Sequence, residues 1–325
     1  MKYIDKVYGE LEINEPVILE IINSPTMQRL KDIDQAGNPA PFYPCIPYTR
    51  FEHSVGVYLL LRKYGAPLEE QIAGLIHDAS HSAFSHCVDY ALEGSSQGKQ
   101  DHQDNIFDEY IKKSEIPAIL KKYDLDLDYI LNDINFPLKE NNLPDICADR
   151  IDYSLRTAIS FYEIDNADYF LDNLTATNGQ WVFKDFTDAK KYAELFRKLN
   201  HDYYSGFYAA VMLQTVGDYL KYSLQKDYIS HTDLYTTDKI VLEKIAPHLK
   251  KDEHLQILFD RMNNKIKAKN DPQDFDRQVF CKSRIIDPLC FAEGQIKRVS
   301  DIEPSWLDVI KKESKVTEYF LKFDK

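Results

Sequence analysis

The sequence predicts a mainly α-helical protein whose helical body carries a smaller mixed α/β portion towards its C-terminal end. Three observations point there. Apolar residues recur three or four apart through much of the first half, turn-rich stretches cut those runs into helix-sized pieces, and after about residue 170 short strand-like segments appear among the helices. The 325 residues suffice for one large or two fused domains. We place a helical core over residues 1–170 and a C-terminal helical and small-sheet region, packed on that core, over residues 171–325.

In chain order, the apolar spacing predicts helices over residues 16–34, 52–64, 68–78, 105–113 and 145–160. Between the first two, residues 38–44 must form an extended loop. Pro39, Pro41 and Pro44 forbid helix there and push the residues before them into extended conformations. That loop leads directly into Arg50-Phe51-Glu52-His53. Residues 179–184 read as a strand or hairpin arm, and residues 189–225 as one or two long, tyrosine-rich helices. Residues 278–283 and 316–323 read as strands of a small mixed sheet, with a helix over 302–312 between them. There is no fixed-period repeat and no low-complexity tract.

Composition excludes several classes. Forty Lys and Arg against 53 Asp and Glu leave a net charge of −13, a poor match to a phosphate backbone, although a local basic pocket remains open. Nucleic acid is therefore not an expected partner. The segment Met1–Leu11 lacks the basic and apolar regions of a signal peptide, and no apolar run reaches the roughly 18 residues of a bilayer span. No membrane association is expected. Five cysteines, odd in number and without a CxxC pair, argue against a disulfide framework or zinc ribbon and for a reducing cytoplasm.

The chemistry concentrates in one stretch. Five of the nine histidines, His53, His77, His81, His86 and His102, lie within 50 residues. His77-Asp78 closes an apolar helix, and Asp149 stands on a later one. Imidazole mixed with carboxylate suits borderline and hard divalent cations. His201, His231, His248 and His254 stand outside any motif. Cys87 and Cys147 read as small buried neighbours, and Asp152 as an i+4 partner of Arg156.

The order His53, His77-Asp78, Asp149 resembles the HD superfamily of metal-dependent phosphohydrolases. The likeness extends over roughly residues 1–160, through Gln28-Arg29-Leu30-Lys31, Gln35, residues 49–56, residues 77–86 and Asp149-Arg150-Ile151-Asp152-Tyr153, to the deoxynucleoside triphosphate triphosphohydrolases, including the animal sterile-alpha-motif/HD protein and bacterial relatives. The resemblance implies that His53, His77, Asp78 and Asp149 hold a divalent ion (Mn, Fe, Mg, Ni or Zn). Gln35, Arg50, Arg150 and Tyr153 would then line a nucleotide pocket, and His81, His86, Asp89 and His102 would face phosphates and handle protons. His77 and His81, four apart, would share a helical face if the helix continues. The expected reaction takes a deoxynucleoside triphosphate to nucleoside and triphosphate by metal-activated water. A homo-oligomer is a further implication of the likeness.

The sequence departs from that family at three points. Thr157 stands where the family holds the 3′-hydroxyl with Asp, His102-Gln103 replaces its His-Glu, and Asn23 and Lys31 replace the Asp and Arg that bind an activating nucleotide in the animal protein. Two alternatives follow: a nucleotide monophosphatase or phosphodiesterase on the same site, or a slow or inactive nucleotide-binding regulatory module.

Overall fold

The computed structural model describes residues 1–92 and 97–324. The chain opens with an antiparallel hairpin of β1 (Lys2–Asp5) and β2 (Gly9–Glu12). Helices α1 (Pro16–Ile22) and α2 (Pro25–Arg29) follow. The single helix expected over 16–34 is thus broken at Asn23-Ser24. Ser24 Oγ accepts the Met27 N–H at 3.3 Å, and Pro25 opens the new helix where its missing N–H costs nothing.

Helices α3 (Arg50–Lys63) and α4 (Leu68–Ile76) form the central pair. α3 begins ahead of the expected residue 52 because Thr49 and Glu52 build a capping box. The Thr49 hydroxyl accepts the Glu52 N–H at 3.2 Å, and the Glu52 carboxylate accepts the Thr49 N–H at 2.8 Å. Nearly all of α3 is buried, so it carries no polar face. α4 stops at Ile76, short of the expected residue 78, and the chain turns. A 3₁₀ stretch, Ser85–Tyr90, precedes α5 (His102–Lys113), α6 (Ile116–Lys122), α7 (Leu127–Leu131), α8 (Ala148–Ser160) and α9 (Asp168–Asp172).

Beyond residue 170 come β3 (Leu174–Thr177), β4 (Gln180–Phe183), α10 (Phe186–Leu199) and α11 (Phe207–Gln225). The tyrosine-rich segment is two helices separated by a wide turn at Asn200–Tyr204. A Cβ on Gly206 would meet the His201 and Asp202 carbonyl oxygens at 2.7 Å, so the sharp entry into α11 requires glycine. The remainder is α12 (Asp238–Ile245), α13 (Glu253–Met262), β5 (Ala268–Asn270), β6 (Arg277–Cys281), β7 (Leu289–Ala292), β8 (Gln295–Arg298), α14 (Val299–Ile302), α15 (Ser305–Glu313) and β9 (Thr317–Phe323). The helix expected over 302–312 falls into α14 and α15, parted at Pro304.

Two C-terminal sheets result. One has the order β3-β4-β7-β8, with β4 and β7 parallel; the other, β5-β9-β6, is antiparallel and pairs the two strands expected around 278–283 and 316–323. Both the helical body and the C-terminal sheets of the expected class are present. One core cluster joins Val57 and Leu155 to Trp181, Phe196 and Trp306, and another joins Phe84 and Val88 to Val216, Tyr219 and Leu321, so packing crosses residue 170 freely. Among the described residues no helix is long and apolar enough to cross a membrane.

Candidate metal centre

Three elements bring side chains to one point. The first turn of α3 carries His53, the turn after α4 carries His77 and Asp78, and the first turn of α8 carries Asp149. Gly56, one turn beyond His53, allows the approach, since a Cβ there would overlap Asp152 and Arg156 of α8.

The imidazole tautomers are set from behind. His53 Nδ1 lies 2.7 Å from Asp152 Oδ2, and His77 Nδ1 lies 2.7 Å from the Gly74 carbonyl oxygen. Both partners accept, so each neutral ring keeps its proton at Nδ1 and turns a bare Nε2 inward. The two Nε2 atoms face each other at 3.2 Å. Asp149 Oδ1 is 3.0 Å from one and 3.4 Å from the other, and Asp78 oxygens stand 3.6 and 3.5 Å away. Lone pairs and carboxylates packed this closely call for a cation among them, and the donor set fits a divalent ion. His53, His77 and Asp149 each place a ligand atom within 4.8 Å of the others.

The carboxylates draw positive charge to this point. Burial opposes protonation of His53, yet the hydrogen bonds to Asp149 and Asp152 outweigh it and raise the ring to about 9, so without a metal a proton on Nε2 supplies the charge that a divalent ion would bring, and metal binding displaces it. Burial likewise opposes ionisation of Asp78, but Arg50, His77 and His81 hold its carboxyl well below the usual range. Behind His53, Asp152 accepts from Arg156 Nε at 3.0 Å and Nη2 at 2.8 Å, and Arg156 reaches Asp5 of β1 at 3.2 Å. The expected Asp152–Arg156 pair is present. The orienting bond from Asp152 to His53 is an additional role that no local spacing reveals.

A cavity of about 810 Å³ opens from His77, Asp78 and Asp149. Gln35, Arg50, His81, His86, Arg150 and Tyr153 line it, as do Tyr48, Thr157 and Tyr204; His53 is fully buried behind them. Arg50 donates to Asp78 Oδ2 at 2.7 Å, to Ser85 Oγ at 2.9 Å and to the Gln35 carbonyl at 2.9 Å. His77 and His81 do not share a helical face, because α4 has ended; the intervening turn instead sets His81 Nε2 3.3 Å from Asp78 Oδ1. His86 Nδ1 lies 3.3 Å from Asp89 Oδ2, and Asp89 Oδ1 accepts the His102 backbone N–H at 3.1 Å. The His102 ring points elsewhere, its Nε2 3.0 Å from the Tyr235 hydroxyl, and neither His102 nor Asp89 lines the cavity. Burial first, then Arg50, keeps His81 well below its usual value; burial also lowers His86, against Asp89.

At the aromatic end the Tyr48 hydroxyl and Thr157 Oγ1 are 2.9 Å apart, while the buried hydroxyls of Tyr153 and Tyr204 have no hydrogen-bond partner among the described residues. Glu140, Cys147 and Asp149 form a second cluster of potential ligands. There Arg150 Nη1 already lies 2.9 Å from Cys147 Sγ and 3.2 Å from Glu140, so a guanidinium supplies the positive charge. Sequence reasoning missed three lining cations: Lys139, Lys282 and Arg284.

Residues 50–156 match the HD domain family. Uncharacterized protein YdhJ of Bacillus subtilis is 36% identical over 298 residues, 91% of this chain and 90% of YdhJ. Metal-dependent phosphohydrolase cns2 of Cordyceps militaris is 41% identical over 158 residues, 48% of this chain and 45% of cns2. Deoxynucleoside triphosphate triphosphohydrolase SAMHD1 of Gallus gallus is 31% identical over 160 residues, 42% of this chain and 26% of that protein. This chain therefore spans less than half the length of the last two. Among solved structures, a phosphohydrolase from Bacteroides thetaiotaomicron shares the fold with a TM-score of 0.70 at 18% identity, covering all of both chains.

Proposed function

The chain belongs to the HD-domain family of metal-dependent phosphohydrolases, and from that premise we propose that it hydrolyses nucleotides, with deoxynucleoside triphosphates as the leading substrate and nucleoside plus inorganic triphosphate as products. The observation that carries the reading is the pair of inward Nε2 atoms, flanked by Asp78 and Asp149, at the wall of a large cavity lined with cations and tyrosines.

In this reading a water oxygen bonds to the α-phosphorus, the bond from phosphorus to the 5′-oxygen breaks, and the nucleoside leaves with a proton on that oxygen. His53, His77, Asp78 and Asp149 would hold a divalent ion, which would supply Lewis acidity and lower the pKa of water bound to it. Arg50 spends three N–H groups on protein acceptors, which fix its plane and leave two for a phosphoryl oxygen. Burial holds His81 and His86 neutral in the free protein; a polyphosphate against them favours their protonation. His86, oriented by Asp89, is then placed to donate to the 5′-oxygen. Tyr153 and Tyr204 offer unpartnered hydroxyls to the sugar or base.

One observation favours a second reading. Thr157, bonded to Tyr48, offers no carboxylate to a 3′-hydroxyl, which suits a nucleotide monophosphatase or phosphodiesterase on the same centre. Product identity after incubation with a nucleotide panel and manganese tests the proposal. Inorganic triphosphate is the expected product. Orthophosphate would favour the second reading, and no product at all would overturn both in favour of a nucleotide-binding regulatory module.

A further inference from the structure

Three of the five cations lining the cavity are already paired. Arg50 is bound to Asp78 at 2.7 Å, Arg150 lies 3.2 Å from Glu140, and Lys139 pairs with Asp133. The other two, Lys282 and Arg284, form no ion pair with any described residue. Lys282 Nζ makes no hydrogen bond among them, and Arg284 donates only to neutral oxygens: Gln100 Oε1 at 3.1 Å and the Lys282 carbonyl at 3.4 Å. An acidic chain with 53 Asp and Glu residues has thus left two cations, two residues apart, without an ion pair at the cavity beside its metal centre.

The local backbone places them there. Beyond Cys281, the last residue of β6, the chain runs on without regular structure; Cys281, Ser283 and Ile285 are buried, while Lys282 and Arg284 alternate with them and line the cavity. The segment is anchored at the wide turn between α10 and α11. Buried Asn200 donates to Ser283 Oγ at 2.9 Å and accepts the Arg284 N–H at 2.8 Å, and Ser283 Oγ donates to the Glu313 carbonyl at 2.6 Å. Gln100, itself buried, steers the guanidinium. Lys282 lines the same cavity as Asp104, Asp149 and Arg150; burial and neighbouring Arg284 depress its ammonium, a cost that an incoming anion relieves.

We infer that Lys282 and Arg284 bind the substrate phosphates beyond the one attacked at the metal centre, so that the C-terminal region, outside residues 50–156, decides whether the site prefers a polyphosphate. The inference rests on the nucleotide reading above and assigns its polyphosphate subsite. A guanidinium and an ammonium two residues apart can each meet a separate phosphate group, whereas a single phosphate at the metal centre has no need of either.

The test is titration calorimetry of inorganic tripolyphosphate and of orthophosphate into the full chain, with manganese in excess and the heat of chelation subtracted, for the wild type and for Lys282→Gln/Arg284→Gln. The wild type is expected to bind tripolyphosphate at least about tenfold more tightly than orthophosphate. The double variant is expected to lose at least about tenfold of its tripolyphosphate affinity and a smaller factor for orthophosphate. Unchanged tripolyphosphate affinity in the variant, or an equal loss for both anions, overturns the assignment of these residues and leaves the nucleotide reading standing. A wild type that prefers orthophosphate overturns both. Should the double variant fail to fold, the single variants decide by the same comparison, with Lys282→Arg expected to restore what Lys282→Gln loses.

Discussion

Asp152 sits where two roles meet: it orients His53 at 2.7 Å and neutralises Arg156. Replacing it with Asn keeps the shape but removes the charge that both partners need. We expect Asp152→Asn to weaken metal binding by about ten- to hundredfold and to destabilise the fold by roughly 3 kcal/mol, because Arg156 keeps only Asp5. Metal titration and thermal unfolding check the two effects separately, and unchanged metal affinity would remove Asp152 from the centre. Arg50→Ala is expected to lower kcat/KM by at least about tenfold, or about 1.4 kcal/mol, and also to lower stability, since Asp78, Ser85 and the Gln35 carbonyl all lose a donor. His86→Ala should cut turnover by roughly 10² to 10⁴, and His102→Ala by less, because the His102 ring is engaged with Tyr235; the reverse ranking in steady-state assays would return proton transfer to His102. The convergent His53, His77, Asp78 and Asp149 were legible because their side-chain chemistry and order are distinctive. Lys282 and Arg284 were not, since nothing near residue 282 in the sequence records that the chain returns there to a cavity otherwise lined from residues 35–213.

At the scale of elements, the turn that presents Ser85 and His86 is held in an unusual conformation. Phe84 and Ser85 both take left-handed backbone angles, φ 60° and 50°, which cost side-chain-bearing residues energy. Asp238, at the start of α12, pins that turn by accepting the Phe84 N–H at 2.7 Å and the Asp34 N–H at 2.9 Å. Asp34, Arg29 and Arg50 are the charged groups around it. Burial, reinforced by Asp34 against the two N–H groups and Arg50, raises the Asp238 carboxyl to about 7. In the unfolded chain the same group titrates near pH 4, so between those values the folded state holds a proton that the unfolded state has lost. Stability therefore falls as pH rises from about 4 to about 7 and levels off above, a contribution on the order of 4 kcal/mol. Asp238→Asn should be less stable at pH 5, because one N–H loses its acceptor, but should lose much of that slope. Unfolding curves of both proteins across pH 4.5–8 check this, and parallel slopes would contradict it. The longer helices were legible from apolar spacing, whereas α6, α7, α9, α12 and α13, of five to ten residues, were not; the breaks were set by particular caps: Ser24 before Pro25, Thr49 with Glu52, and Gly206 against two carbonyls. The hairpin β1–β2 and the strands β5, β7 and β8 were missed because each is only three or four residues long and its alternation is too short to stand out.

On the scale of the whole molecule, the helical body and the C-terminal region share their interior. Trp181 packs in the same cluster as Val57 and Leu155 and donates its indole N–H to the Leu138 carbonyl at 2.9 Å, while α11 packs on the Ser85–Tyr90 stretch, with the Cβ of Gly217 forbidden by Tyr90. We propose that residues 1–170 and 171–325 are one cooperative unit. A fragment ending at residue 170 should expose that interior and aggregate or remain unfolded; a soluble, cooperatively melting fragment would show that the boundary separates independent domains. The same architecture brings cations from both regions to one cavity, the local positive charge that the proposed nucleotide reading requires of a chain of net charge −13. The most direct test of the metal centre is an anomalous difference map from crystals grown or soaked with manganese. The expected result is a dominant peak at bonding distance from the Nε2 atoms of His53 and His77 and from the carboxylates of Asp78 and Asp149. A map without density there, or with its main peak among Glu140, Cys147 and Asp149 instead, would contradict the assignment of the centre.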